Sequence, residues 1–113
     1  MIIINIKKGT VLADKVVKAD TFFKRLKGLM LKKSLECGEG LLLSPCKSIH
    51  TFGMRFGIDV IYISKAGEIV KMKENILPGK IEPIVLKASY VLELPAGTIK
   101  KSGIELGDIL YWQ

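Results

Sequence analysis

The sequence predicts a mainly β domain: a small barrel-like or rolled antiparallel sheet of six to eight short strands with one short helix. Three observations carry this expectation. Short β-branched or leucine-rich runs recur at residues 2–6, 11–17, 41–43, 58–63, 68–75, 88–94 and 109–112. Gly, Pro and Asp turn signals separate them at intervals of roughly 8–12 residues. A single stretch, beginning at Phe22, spaces its apolar residues three and four apart.

Residues 2–6 are short and rich in isoleucine, so they read as a strand, and Lys8-Gly9-Thr10 turns the chain into a second strand over residues 11–17. Asp20-Thr21 offers an N-cap to a helix whose stripe is Phe22, Leu26 and Leu29, with Gly28 to end or bend it. Gly38-Glu39-Gly40 turns into the strand at residues 41–43, which Ser44-Pro45 stops. Ile58 to Ile63 is apolar on both sides except at Asp59, the pattern of a strand buried on both faces. Lys65-Ala66-Gly67 makes a hairpin turn into residues 68–75, and Pro78-Gly79 and Pro83 mark a loop. The strand at residues 88–94 ends at Pro95-Ala96-Gly97, and Leu106-Gly107-Asp108 turns into the last strand. A chain of 113 residues without linker, repeat or low-complexity segment is one domain, residues 1–113.

Composition narrows the function classes. Hydrophobic residues at 49% and charged residues at 26% exclude a disordered chain, and no apolar run approaches the ~20 residues of a membrane helix. Two cysteines without a CxxC pair make neither a disulfide framework nor a zinc ribbon. The start, Met1 to Lys8, puts its charge after the apolar run, unlike a secretion signal, so a cytoplasmic location is expected. The net charge of +7 favours an anionic partner, but the lysines are scattered, with pairs only at Lys7-Lys8, Lys32-Lys33 and Lys100-Lys101. A nucleic-acid surface is therefore not the expectation, and weak nucleic-acid binding stands as a second alternative.

Three stretches resemble the domain of unknown function 192 family: Arg25 to Met30 with Leu35, His50 to Val60, and Leu92 to Gly97 followed by the Gly103-Ile104 and Gly107-Asp108 turns. Gly57 stands where relatives commonly carry proline. The resemblance implies a compact, β-rich single domain and no particular activity.

The residues suited to chemistry lie in two places. Cys46, His50 and Met54 recur every four residues and offer thiolate, imidazole and thioether, a soft-metal donor set. On an extended strand four residues span ~13 Å, too far to share a metal, so no metal site is assigned. A cysteine–histidine nucleophile pair meets the same obstacle. Asp59 and Glu93 are the second feature: carboxylates inside apolar strands, which must be satisfied by a cation, by backbone N–H groups or by water. Their structural reading is capping or pairing. The functional reading has His50, Thr51, Arg55, Asp59 and Glu93 converge at one end of the barrel to bind a small polar or anionic ligand. The alternative is a hydrolase using His50 with Asp59 or Glu93. Cys37 reads as a packed small hydrophobe, Asp108 as a turn residue and Tyr111-Trp112 as a pair closing a core or edge. The sequence assigns no cofactor and no oligomeric state.

Overall fold

The computed structural model describes residues 1–113. The elements in chain order are β1 (Ile3–Asn5), β2 (Thr10–Ala13), β3 (Lys15–Ala19), α1 (Phe22–Lys27), β4 (Glu39–Leu43), β5 (Ile58–Ile63), β6 (Ile69–Ile76), β7 (Tyr90–Pro95), α2 (Thr98–Ser102) and β8 (Leu110–Tyr111). They form a three-stranded sheet, β2-β1-β8, and a five-stranded sheet, β3-β4-β7-β5-β6. The fold is thus mainly β, with eight strands, in rolled sheets rather than a closed barrel.

Two expectations need correction. The stretch at residues 11–17 is not one strand. It breaks at Asp14, where the N–H groups of Asp14 and Lys15 both donate to the Gly38 carbonyl, and β2 and β3 enter different sheets. As a result β3 runs parallel to β4, and the sheet is not wholly antiparallel. A parallel pair requires a crossover, and residues 20–38 supply it. The second correction is α2, a short helix bracketed by Gly97 and Gly103, both with left-handed backbone.

Helix α1 starts and stops as its sequence dictates. Thr21 caps it, accepting the Lys24 N–H at 3.2 Å, and Gly28 ends it at φ +50° with its N–H on the Lys24 carbonyl. Only the last residue of its apolar stripe enters the core. Leu29 is buried, but Phe22 and Leu26 are 65% and 51% exposed. Six residues are too few to hold a helix by propensity, so α1 is placed by its caps and by Leu29.

The five-stranded sheet buries both faces, which explains why every residue of β5 is buried. On one face Leu42, Ile61, Ile63, Leu92 and Leu94 pack against Ile3, Leu12 and Leu110 of the smaller sheet. Trp112 joins this core, meeting Tyr90 edge to face at 5.0 Å. On the other face Leu41, Leu43, Val60, Tyr62 and Val91 pack under Leu29, Ile49 and Met54. Gly40 lets β4 and β7 approach: a Cβ there would stand 3.1 Å from the Glu93 carbonyl and 2.9 Å from a Leu94 methyl. Asp108 is more than a turn residue. It is buried and accepts from the Asn5 side chain at 2.8 Å and the Glu105 N–H at 3.0 Å, tying β1 to the turn before β8. Cys37, by contrast, is exposed.

Candidate functional site

Glu93 sits in the middle of β7, opposite Val60 of β5 and Leu41 of β4. Alternation along β7 turns its side chain to the face shared with Val91, beneath the α1 crossover. Asp59, opposite Leu94, points to the other face. The two carboxylates that stand out in the sequence are therefore separated by the sheet itself, and the arrangement for paired-carboxylate hydrolysis is not assembled.

Their surroundings differ as sharply. Asp59 is fully buried, and its oxygens accept three backbone N–H groups: Asn75 at 2.9 Å, Gly97 at 3.1 Å and Ile99 at 2.9 Å. It caps α2 from a neighbouring strand and holds Asn75 at φ +50°. Glu93 is 2% exposed, and its Oε1 has no hydrogen-bond partner. Burial pushes its carboxyl up to about 8, so at neutral pH the group holds its proton for most of the time.

A hollow of about 270 Å³ opens over Glu93 between α1 and the loop from Cys46 to Met54. Leu26, Leu29, Leu43, Ile49 and Met54 give it apolar walls, and Arg25, His50 and Ser48 add polar groups. Gly28 is part of the lining: a Cβ on it would stand 3.7 Å from Glu93 Oε1. The segment after α1 is held by Met30, which packs on Gly53, and by the Leu31 N–H donating to the Gly53 carbonyl at 3.3 Å.

The polar groups around Glu93 have defined roles. Arg25 Nη1 donates to the Ser44 carbonyl at 3.3 Å. Burial raises the Cys46 thiol above its usual range, and Sγ–H donates to the Ser48 carbonyl at 3.0 Å. His50 Nδ1 accepts the Phe52 N–H at 3.2 Å, and its ring stacks on Phe52. On the same sheet face the Tyr62 hydroxyl is buried without a partner, and burial pushes it up to about 12.

Of the five residues expected to converge, only His50 and Glu93 line this hollow. Thr51 is buried elsewhere: its hydroxyl donates to the Leu77 carbonyl and accepts the Lys80 N–H, stapling the loop after β6. Arg55 is exposed and makes no ion pair. Cys46, His50 and Met54 do reach the same hollow, because residues 44–57 form turns and bends with a single bridge at His50 rather than an extended strand. No three His, Cys, Asp or Glu side chains cluster as a metal site would need. Sequence reasoning missed Arg25. Its position one turn before the helix-ending Gly28 was the available signal, since both face the sheet that carries Glu93.

The fold and the hollow define a small, β-rich domain with a recess over Glu93 on one face of its five-stranded sheet. The chain belongs to the DUF192 family, described as an uncharacterized ACR, whose model matches residues 3–112. Relatives include a UPF0127 protein of Thermococcus sibiricus, 36% identical over 98% of this chain and 74% of the relative. Another is a UPF0127 protein of Pyrococcus furiosus, 32% identical over 96% of each chain. Among solved structures, a Sinorhizobium meliloti protein described as a candidate transcription regulator superposes with a TM-score of 0.81. It is 28% identical, over 97% of this chain and 89% of its own. A Novosphingobium aromaticivorans protein of unknown function has the same fold at 23% identity, with a TM-score of 0.79 over 86% of this chain and 74% of its own. No helix is long and apolar enough to cross a membrane.

Proposed function

We propose that this chain is a non-enzymatic binding domain, and that its ligand is a small molecule with an apolar body and an anionic or strongly polar oxygen seated over Glu93. The observation that carries this reading is the Glu93 Oε1 atom: buried, unpartnered and set beside Gly28 in the wall of the recess. An orphaned buried polar atom costs free energy in every empty molecule, and a ligand group that pairs with it recovers that cost on binding. A protonated Glu93 offers an O–H to a ligand oxygen, Arg25 supplies positive charge beside it, and the aliphatic walls take the body. His50 lies at the same recess with Nδ1 already occupied, leaving Nε2 to contact a ligand.

The test is a titration of the 13C-glutamate- and 13C-methionine-labelled chain with butyrate, butylamine and butanol. Saturable shifts of the Glu93 carboxyl and the Met54 methyl with butyrate are expected, with the Met54 shift lost in Glu93→Leu. Silence from all three probes, or a Met54 shift that survives in Glu93→Leu, removes the reading.

A further inference from the structure

A second hollow, of about 390 Å³, lies on the same sheet face on the far side of the Gly28–Met30 segment. Its floor is apolar and buried: Ala19, Leu29 and Leu41. Its sides are apolar and uncovered, with Val17 65% and Leu31 69% exposed. Around it stand five lysines: Lys15 and Lys18 from β3, Lys24 and Lys27 from α1, and Lys32 after it. Glu39 is the one acid among the lining residues. None of the five lysines is neutralised, since the ion pairs of the chain involve only Lys8 and Lys73. Charges that look scattered in the sequence are gathered here by the β3–α1–β4 crossover.

The two properties of this trough call for one kind of occupant. Ammonium groups gathered around one hollow repel each other, and an anion placed among them relieves that repulsion. Exposed valine and leucine are relieved by apolar contact. We propose that the trough binds an anionic amphiphile, a single alkyl chain with a carboxylate or phosphate head, the chain lying on Leu29, Leu41 and Val17 and the head among Lys24, Lys27 and Lys32. A nucleic acid would meet the charge but leave the apolar floor uncovered. An added peptide strand is disfavoured because the outer edge of β3 is engaged at its centre, where the Val16 N–H donates to the Met1 carbonyl at 3.1 Å. The inference is independent of the Glu93 recess.

The experiment is calorimetric titration of the full chain, below micelle-forming concentrations, with decanoate, decyl phosphate, decanol and decyltrimethylammonium. One-to-one binding of decanoate or decyl phosphate is expected, at least ~10-fold tighter than decanol and weakened by added salt. Decanoate alone identifies a free fatty carboxylate as the natural chemistry, and decyl phosphate alone a phosphate headgroup. The variant Lys24→Glu/Lys27→Glu/Lys32→Glu is expected to lose at least ~10-fold in affinity, with circular dichroism and melting temperature checking that it folds. Should it not fold, the separate exposed-site variants Lys24→Gln and Lys32→Gln are expected each to weaken binding. Equal affinity for decanol, preference for the cationic amphiphile, indifference to charge reversal, or tighter binding of a short RNA or of polyglutamate would each overturn the proposal.

Discussion

Asp59 and Glu93 sit on adjacent strands of one sheet, nearly opposite each other in register, yet they belong to different classes of residue. On Asp59's face every carboxylate lone pair that matters is met by a backbone N–H, and the charge organises α2 and the Asn75 corner. On Glu93's face the carboxyl meets leucine, methionine and an open recess. The lesson is that burial alone does not separate a satisfied carboxylate from an orphaned one. The count of donors aimed at it does.

Three measurements break or sharpen this contrast, in order of expected size. Asp59→Ala removes the acceptor of three N–H groups, and a loss of about 3–5 kcal/mol in urea unfolding is expected. A loss below about 1 kcal/mol would place Asp59 with ordinary surface groups and erase the contrast.

Glu93→Gln is expected to act in the opposite direction. The Glu93 carboxyl titrates near 4.5 when unfolded and about 8 when folded, so between those values the native state holds more protons than the unfolded chain. Stability therefore falls as pH rises through that window and levels off above it. Glutamine cannot ionise, so the variant should be more stable at pH 7 by about 3 kcal/mol and should lose the decline. Parallel wild-type and variant curves from pH 4 to pH 9 would show that the Glu93 carboxyl has no elevated titration.

The smallest effect is expected at Thr21, whose cap holds a helix that buries none of its own residues. Thr21→Ala should cost at most about 1 kcal/mol, and amide exchange should speed up in α1 while β5 and β7 stay protected. Equal acceleration throughout would show that α1 and the sheet open together rather than separately.

Much of the fold was legible in the sequence because local chemistry decided it. The Thr21 cap, the Gly28 stop, the Lys65–Gly67 turn and the doubly buried β5 all follow from residue type and spacing. What stayed hidden depends on contacts distant in sequence. Asp14 breaks a strand because the Gly38 carbonyl lies beside it, and no spacing within residues 11–17 records that. Helix α2 forms in a five-residue stretch because Asp59 waits across the sheet to cap it. For the site, Glu93 stood out as a charge among leucines, and His50 as the single histidine. Asp59 stood out for the same reason as Glu93, and only the register between β5 and β7 sends them to opposite sides. Arg25 and the five trough lysines were invisible as a group, because a crossover brings them together.

Gly28, Leu29 and Met30 border both hollows. They act as a thin partition between two rooms, one floored by a carboxyl and one fringed by lysines. Any guest that displaces this partition does work on the neighbouring room, and thermodynamic reciprocity requires the neighbour's guest to return the same coupling free energy. Two occupants that both moved this partition would register each other without any hinge or subunit to carry the message.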